Sequence, residues 1–309
     1  MSRVAITGAG GFVGRHVASA ASARGLDVVG VVRSEKAAET VRRAGARPAF
    51  VSGLEEGALA AALEGAAAVV HLAQIGSERE GASYDGVNVA GTRAVAAAAA
   101  RAGVGRAVFL SGLGVARFGQ SRRCTSRYFL SKLAAEVELY RSSLDVAVFR
   151  PSYIVGPGNP FLQSLLAELG AGEVEVVGDG GYRLQPVAVR DAAEAVLETA
   201  LDGGPSRWRV FDLVGPEAVS YRALLDRLAA RSGTGGFRVR TVPVEEADRQ
   251  AAAEGGYRGM GAAELDCLLC DEVSDSRPLE ALLGRLLTPL DQVLDEAVRG
   301  SLAAGGRAQ

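Results

Sequence analysis

Short β-prone apolar runs alternate with helical stretches through the first half of the chain. The runs fall near residues 3–7, 27–32, 47–51, 67–72, 106–111 and 145–149. Between them the pattern reads as helix near 12–24, 35–44, 57–63, 87–102 and 126–142. Strand–helix alternation of this kind predicts a doubly wound parallel sheet of the α/β class. After Pro151 the pattern changes. Gly156-Pro157-Gly158-Asn159-Pro160 is a turn cluster, followed by a helix near 161–170 and a β-prone segment at 173–177. Another helix is expected to open near Asp191, with Asp191 and Glu194 spaced as a capping box. Phe211-Asp212-Leu213-Val214 has the character of a strand returning to the sheet. From Pro216 the chain offers a helix near 221–231, an alternating strand from Phe237 to Val242, and further helices. The expected division is a first domain over 1–155, rejoined by 186–215, and a smaller C-terminal lobe made of 156–185 and 216–309.

At 309 residues there is room for one large α/β domain with an attached lobe. A net charge of −2 gives no reason to expect a nucleic-acid partner. The N-terminus reads as a strand and not as a leader. The apolar stretch from Ala58 to Leu72 is interrupted by Glu64 and Gly65, so no membrane span is expected and a soluble, cytoplasmic protein is. Three cysteines, Cys124, Cys267 and Cys270, make no disulfide framework. The Cys267-Leu268-Leu269-Cys270 pair has no further cysteine or histidine near it to complete a zinc site. It reads as small apolar side chains on a buried segment, and no metal is expected.

Candidate chemistry begins directly after the first strand. Gly8, Gly11 and Gly14, with Phe12 and Val13 between the last two, lead from Val4-Ala5-Ile6-Thr7 into a helix. Such a turn lets the backbone approach a ligand, and the helix N-terminus offers free N–H groups to a pyrophosphate. Arg33 ends the second strand, beside the expected adenosine ribose. An arginine there suits the 2′-phosphate of NADP, whereas NAD is met by a carboxylate. NADP is therefore the expected cofactor, with NAD as second choice. Further on, Tyr128 and Lys132 stand four apart on a helical segment and so share a face. An ammonium beside a phenol lowers its pKa and makes it a usable proton donor and acceptor. Of 34 basic residues only Lys36 and Lys132 are lysines, which singles out Lys132 as a place where arginine does not serve.

With these motifs the chain resembles the short-chain dehydrogenase/reductase superfamily, most closely its extended and atypical members of the NAD(P)-dependent epimerase/dehydratase type. The likeness also takes in Val70-His71-Leu72-Ala73, Asn88-Val89-Ala90-Gly91-Thr92, Arg150 to Gly158, and Gln185 to Asp191. It implies a Rossmann domain with a substrate lobe. The backbone of Leu72 and Ala73 would pass the cofactor ribose and phosphates, and Pro151 the nicotinamide. Lys132 would hold a ribose hydroxyl and Tyr128 would transfer the proton. His71 reads as a packed, hydrogen-bonded residue and not as a base. The family's third catalytic hydroxyl aligns with Leu113, which cannot donate. Ser111 takes that role, or Thr125 or Ser126 does, or it is vacant; Ser111 as a plain strand-end cap is an equal alternative. Gly53 stands where relatives place an aspartate against the adenine.

The expected function is NADP-dependent hydride transfer between the nicotinamide and a carbonyl or alcohol carbon of a small molecule. The loop from Gln74 to Gly86 and the lobe after Pro216 would enclose the substrate. A sugar-nucleotide epimerase or dehydratase with tightly held cofactor is the second reading, and a non-catalytic dinucleotide-binding protein the third. Helices 87–102 and 126–142 are candidates for a homodimer interface, with a monomer left open.

Overall fold

The computed structural model describes residues 2–202, 207–234 and 236–305. Seven parallel strands form the main sheet. Six of them are β1 (Arg3–Thr7), β2 (Asp27–Val32), β3 (Arg47–Phe50), β4 (Ala68–His71), β5 (Arg106–Leu110) and β6 (Asp145–Pro151). The seventh, Trp208–Leu213, pairs with β6 from Trp208↔Val146 to Leu213↔Pro151, so the segment containing Phe211 does return to the sheet. Across the sheet the order is seventh, β6, β5, β4, β1, β2, β3. The chain leaves β1 toward β2 on one side and comes back to β4 on the other. That reversal opens a crevice at the C-terminal ends of β1 and β4, the usual ligand position in such sheets.

Helices cover both faces: α1 (Phe12–Ala23), α2 (Glu35–Arg43), α3 (Glu56–Leu63), α4 (Gly91–Arg101), α5 (Arg127–Arg141), α6 (Pro160–Gly170), α7 (Val189–Leu201) and α8 (Tyr221–Ser232). Strand β1 is buried on both sides. Val4 and Ile6 pack with Val17 and Ala18 of α1 and Ala193 and Val196 of α7, while Ala5 packs with Val95 and Ala99 of α4. A two-sided apolar strand is what a doubly covered parallel sheet requires. One turn of π-helix, Asp85–Ala90, precedes α4 where an uninterrupted helix from 87 was expected.

The lobe has its own core, built from Leu162, Leu165 and Leu169 of α6, Leu224, Leu225 and Leu228 of α8, and Leu290 and Leu294 of the last helix. Its strand Glu173–Val177 pairs in parallel with Arg238–Val242. The segment after Pro216 also returns to the main domain, where Leu279 and Leu287 join the core beneath the sheet.

The capping box at Asp191 does not form. Helix α7 starts at Val189, and its N-cap Ala188 makes no side-chain bond. Asp191 is fully buried and faces another segment. Its Oδ2 accepts from the Thr288 amide at 2.7 Å, and its Oδ1 from Thr288 Oγ1 at 3.0 Å and Arg285 at 2.8 Å. The carboxylate therefore ties down 285–288 instead of closing its own helix.

Candidate active site

The glycine turn is shaped by contacts that side chains would break. Gly8 has φ +69°, and a Cβ there would sit 2.7 Å from the amide nitrogen of Ala73. Gly8 and Gly11 line a cavity of about 410 Å³ with Leu72, Ala73 and Arg33. Gly11 is the N-cap of α1, and its amide bonds the Gly8 carbonyl at 3.0 Å. Gly14 differs from the expectation that it meets the cofactor. It lines neither cavity, and a Cβ there would come within 2.2 Å of the Gly8 carbonyl oxygen, so its smallness lets α1 seat on the turn. Phe12 and Val13 line a second, larger cavity of about 600 Å³, as does Pro151.

His71 is a structural link. Thr92 Oγ1 donates to the Asn88 carbonyl at 2.6 Å, so it accepts from His71 Nε2 at 3.0 Å. The other ring nitrogen, Nδ1, then accepts from Thr7 Oγ1 at 2.7 Å. Burial pushes the imidazole down to about 3, which keeps it neutral. The chain of bonds ends at the Ala73 amide, which donates to Thr7 Oγ1 at 3.3 Å. It thereby fixes the Leu72-Ala73 backbone against β1. Asn88 extends the same support. Its side chain bonds both the amide and the carbonyl of Ile75, at 2.9 and 3.1 Å, and donates to Ser131 Oγ at 3.0 Å, one residue before Lys132.

Helix α5 is capped by Ser126, whose Oγ accepts from the Phe129 amide at 3.3 Å. That cap sets Tyr128 in the first turn, on the wall of the larger cavity. Lys132 is 1% exposed, and its Nζ donates to the Leu110 carbonyl at 2.6 Å and to Gln74 Oε1. It also lies 4.3 Å from the Phe109 ring centroid. Burial lowers this ammonium to about 7. The expected lowering of the Tyr128 phenol by Lys132 is not seen. Burial first, then the nearby Cys267 and Glu272, push the phenol up, while the ammonium donates to Gln74 and the Leu110 carbonyl.

The third hydroxyl sorts itself by hydrogen bonding. Thr125 Oγ1 is exposed and donates to the Arg122 carbonyl at 2.6 Å, and Ser126 is spent on the helix cap. Leu113 is buried at the start of a 3₁₀ turn. Ser111 is 1% exposed, lines the larger cavity with Tyr128, and its Oγ makes no hydrogen bond. A strand-end cap would have used that oxygen on the backbone.

Arg33 is exposed at the end of β2 and, among the described residues, forms no ion pair. Ser34 beside it caps α2 through the Ala37 amide at 3.3 Å. Gly53 lines the same cavity, with open space where a Cβ would point.

Two site residues escaped the sequence reading. Gln74 lines both cavities and accepts from Lys132 Nζ. Its one signal was its place directly after Val70-His71-Leu72-Ala73. Glu272 is a buried carboxyl on the larger cavity's wall, and no local pattern marks it. The enclosing loop expected from Gln74 to Gly86 is tied to the lobe by Tyr84, whose hydroxyl donates to the Gly76 carbonyl at 2.8 Å and to Glu264 at 3.2 Å. The cysteine pair divides. Cys270 Sγ is 2.9 Å from Cys124 Sγ in the buried interior, whereas Cys267 reaches the cavity wall.

Among the described residues no helix is long and apolar enough to cross a membrane. Comparison with known proteins agrees with the geometry. The chain is 29% identical over 247 residues to 4-hydroxy-2-methyl-3-oxo-4-farnesyl-3,4-dihydroquinoline-1-oxide ketoreductase of Stigmatella aurantiaca, covering 75% of this chain and 73% of that protein. It is 28% identical over 252 residues to 2-alkyl-3-oxoalkanoate reductase of Stenotrophomonas maltophilia (strain K279a), covering 75% and 76%. Its fold matches that of MoeE5 in complex with UDP-glucose and NAD, with a TM-score of 0.75 and 24% identity over 98% of this chain and 99% of that one. Residues 4–207 match the NAD dependent epimerase/dehydratase family, and with the glycine turn, the crevice and the Tyr128–Lys132 pair in place the chain belongs to that family of dinucleotide-dependent enzymes.

Proposed function

We propose that this enzyme is an NADP-dependent reductase of ketones. Ser111 carries the reading. Its hydroxyl is buried without a partner on the wall that Tyr128 shares, and a buried orphan hydroxyl calls for a polar atom from a ligand. A substrate carbonyl oxygen set between Ser111 and Tyr128 meets that need and places the carbonyl carbon for hydride.

Gly8, Gly11 and the start of α1 would hold the pyrophosphate of a dinucleotide, with Leu72 and Ala73 beside its ribose and the smaller cavity for its adenosine half. Phe12, Val13 and Pro151, on the wall of the larger cavity, would meet its nicotinamide. When bound, the cofactor supplies the hydride. Lys132 would hold a ribose hydroxyl, and its charge would favour the phenolate of Tyr128. Arg33 supports NADP over NAD, since its unpaired guanidinium suits a 2′-phosphate.

Two curated relatives are named as reductases of oxo compounds, which favours this reading over epimerisation. The division into a dinucleotide domain, 1–155 with 186–215, and a substrate lobe serves the same reading. An exposed row on α5, Leu130, Val137 and Tyr140, supports pairing with a second copy of the chain.

The test is NADPH oxidation with a panel of ketones, by wild type and by Ser111→Ala. Turnover that falls about a hundredfold in the variant agrees with the usual scale of such help. Turnover equal in the two proteins would refute the assignment.

A further inference from the structure

The wall of the larger cavity has a composition that the Tyr128–Lys132 pair does not explain. Five of the chain's seven tyrosines line it: Tyr128, Tyr153, Tyr182, Tyr221 and Tyr257. Tyr153 tilts against Phe161 with ring centroids 4.9 Å apart, and Tyr182 stacks on Tyr221 at 5.0 Å. Rigid aromatic faces of this kind suit a ring-bearing ligand. Tyr182 adds a second buried hydroxyl without a partner, beside that of Ser111.

Charge narrows the class. Among the described residues on this wall Arg258 is the one basic side chain, and Glu168 already pairs with it at 2.7 Å. Four carboxyl groups share the wall. Glu175 is taken by Tyr257 and Arg240, and Glu264 accepts from Tyr84 at 3.2 Å. Glu272 differs from these. It is 7% exposed and forms no ion pair among the described residues. Its segment is firmly placed. Arg117 donates to the carbonyls of Asp271 and Val273 at 3.0 and 2.7 Å, and the Glu272 amide donates to the Arg183 carbonyl at 2.8 Å. A diphosphate or carboxylate needs free cations to receive it, and this wall supplies none.

We propose, resting on the ketone-reductase reading, that the cavity takes an uncharged ring-bearing ketone, and that Glu272 as a carboxylic acid donates a hydrogen bond to a second polar atom of that substrate. Burial holds this carboxyl up at about 8, against the pull of Ser152 and Arg117. The other titratable groups that face it are Tyr128, Tyr153, Cys267 and Cys270. The acid form therefore prevails at neutral pH, as a donor that a carboxylate cannot be.

The probes are 4-acetylbenzamide and 4-acetylbenzoate, which share a shape and differ in charge, with UDP-glucose as the anionic control. Their affinities are measured by saturation-transfer NMR titration on protein saturated with NADP⁺, so no turnover is needed. The amide should bind about tenfold or more tightly than the benzoate, and UDP-glucose weakly, because like charges oppose entry. Affinity for the amide should fall as pH rises through about 8. Glu272→Gln, which keeps a donor and cannot ionise, should remove that fall, and Glu272→Leu should weaken the amide at neutral pH by about tenfold. Equal binding of amide and benzoate, or tight binding of UDP-glucose, would overturn the substrate class. An alkaline loss unchanged in Glu272→Gln would overturn the role of Glu272. Preference for the amide without NADPH oxidation by either ketone would support this proposal and count against the reductase reading alone.

Discussion

Ser111 and Glu272 each keep a polar group in the buried wall of a cavity, and each carries a distinct signature. Replacing Ser111 by alanine removes a hydroxyl that bonds nothing, so the melting temperature should hold or rise while turnover drops. A lower melting temperature with turnover intact would return Ser111 to a structural role. Tyr128→Phe should reduce turnover by roughly a hundredfold or more and leave NADPH affinity nearly unchanged, as measured by fluorescence titration. Glu272 links folding to pH. Its folded-state pKa of about 8 lies above its ordinary 4.5, so the native state binds the extra proton between those values. Its contribution is full below about 4.5 and is lost as pH climbs through about 8. Thermal melts of Glu272→Gln should show a shallower decline across that window than wild type. Parallel curves would show that the carboxyl is not held protonated. At this scale the sequence was legible for Tyr128 and Lys132, because four-residue spacing on one helix is a local property. It could not separate Ser111 the cap from Ser111 the free hydroxyl, since that depends on which neighbours approach it in three dimensions.

Two of the glycines in the strand–turn–helix at the N-terminus have different jobs. Gly11 lines the smaller cavity, and a Cβ there would lie 3.2 Å from the Gly8 carbonyl oxygen, on the side where the proposed binding mode sets the pyrophosphate. Gly11→Val should therefore abolish dinucleotide binding in a protein that still folds. Gly14 is sealed against the Gly8 carbonyl, and Gly14→Ala should cost stability by about 1–3 kcal/mol, the range for overpacked sites. Calorimetry with and without NADPH separates the two outcomes, and reversed behaviour would misplace the turn. The alternation of elements was readable because strand and helix periods differ and β1 to β6 follow one another with regular helices between. The π-helical turn at Asp85–Ala90 and the true partner of Asp191 were not. The first depends on how Asn88 bonds Ile75 and Ser131, and the second on a segment nearly a hundred residues further along the chain.

The whole molecule places its chemistry where two halves of the chain meet. Strands β1 and β4 supply the crevice, α5 the tyrosine and lysine, and later segments most of the aromatic and acidic wall. That wall was invisible in the sequence because Tyr153, Tyr182, Tyr221, Tyr257 and Glu272 come from separate segments with no common spacing. On the outer surface Tyr140 is 62% exposed beside Leu130 and Val137. If that row pairs two copies, light scattering should report a dimer, and Tyr140→Glu with Leu130→Glu should yield a monomer. A wild-type monomer would remove the interface. The reductase reading itself rests on where the hydride goes. An epimerase returns it to the substrate, whereas a reductase leaves it on the product. The decisive measurement is incubation with NADPH deuterated at the transferable C4 position and an uncharged aryl ketone, followed by mass spectrometry of the alcohol. The account predicts one deuterium on the carbinol carbon, formed with stoichiometric NADP⁺ and roughly a hundredfold more slowly by Tyr128→Phe. Unlabelled product, or interconversion of a sugar nucleotide with no net oxidation of NADPH, would contradict it.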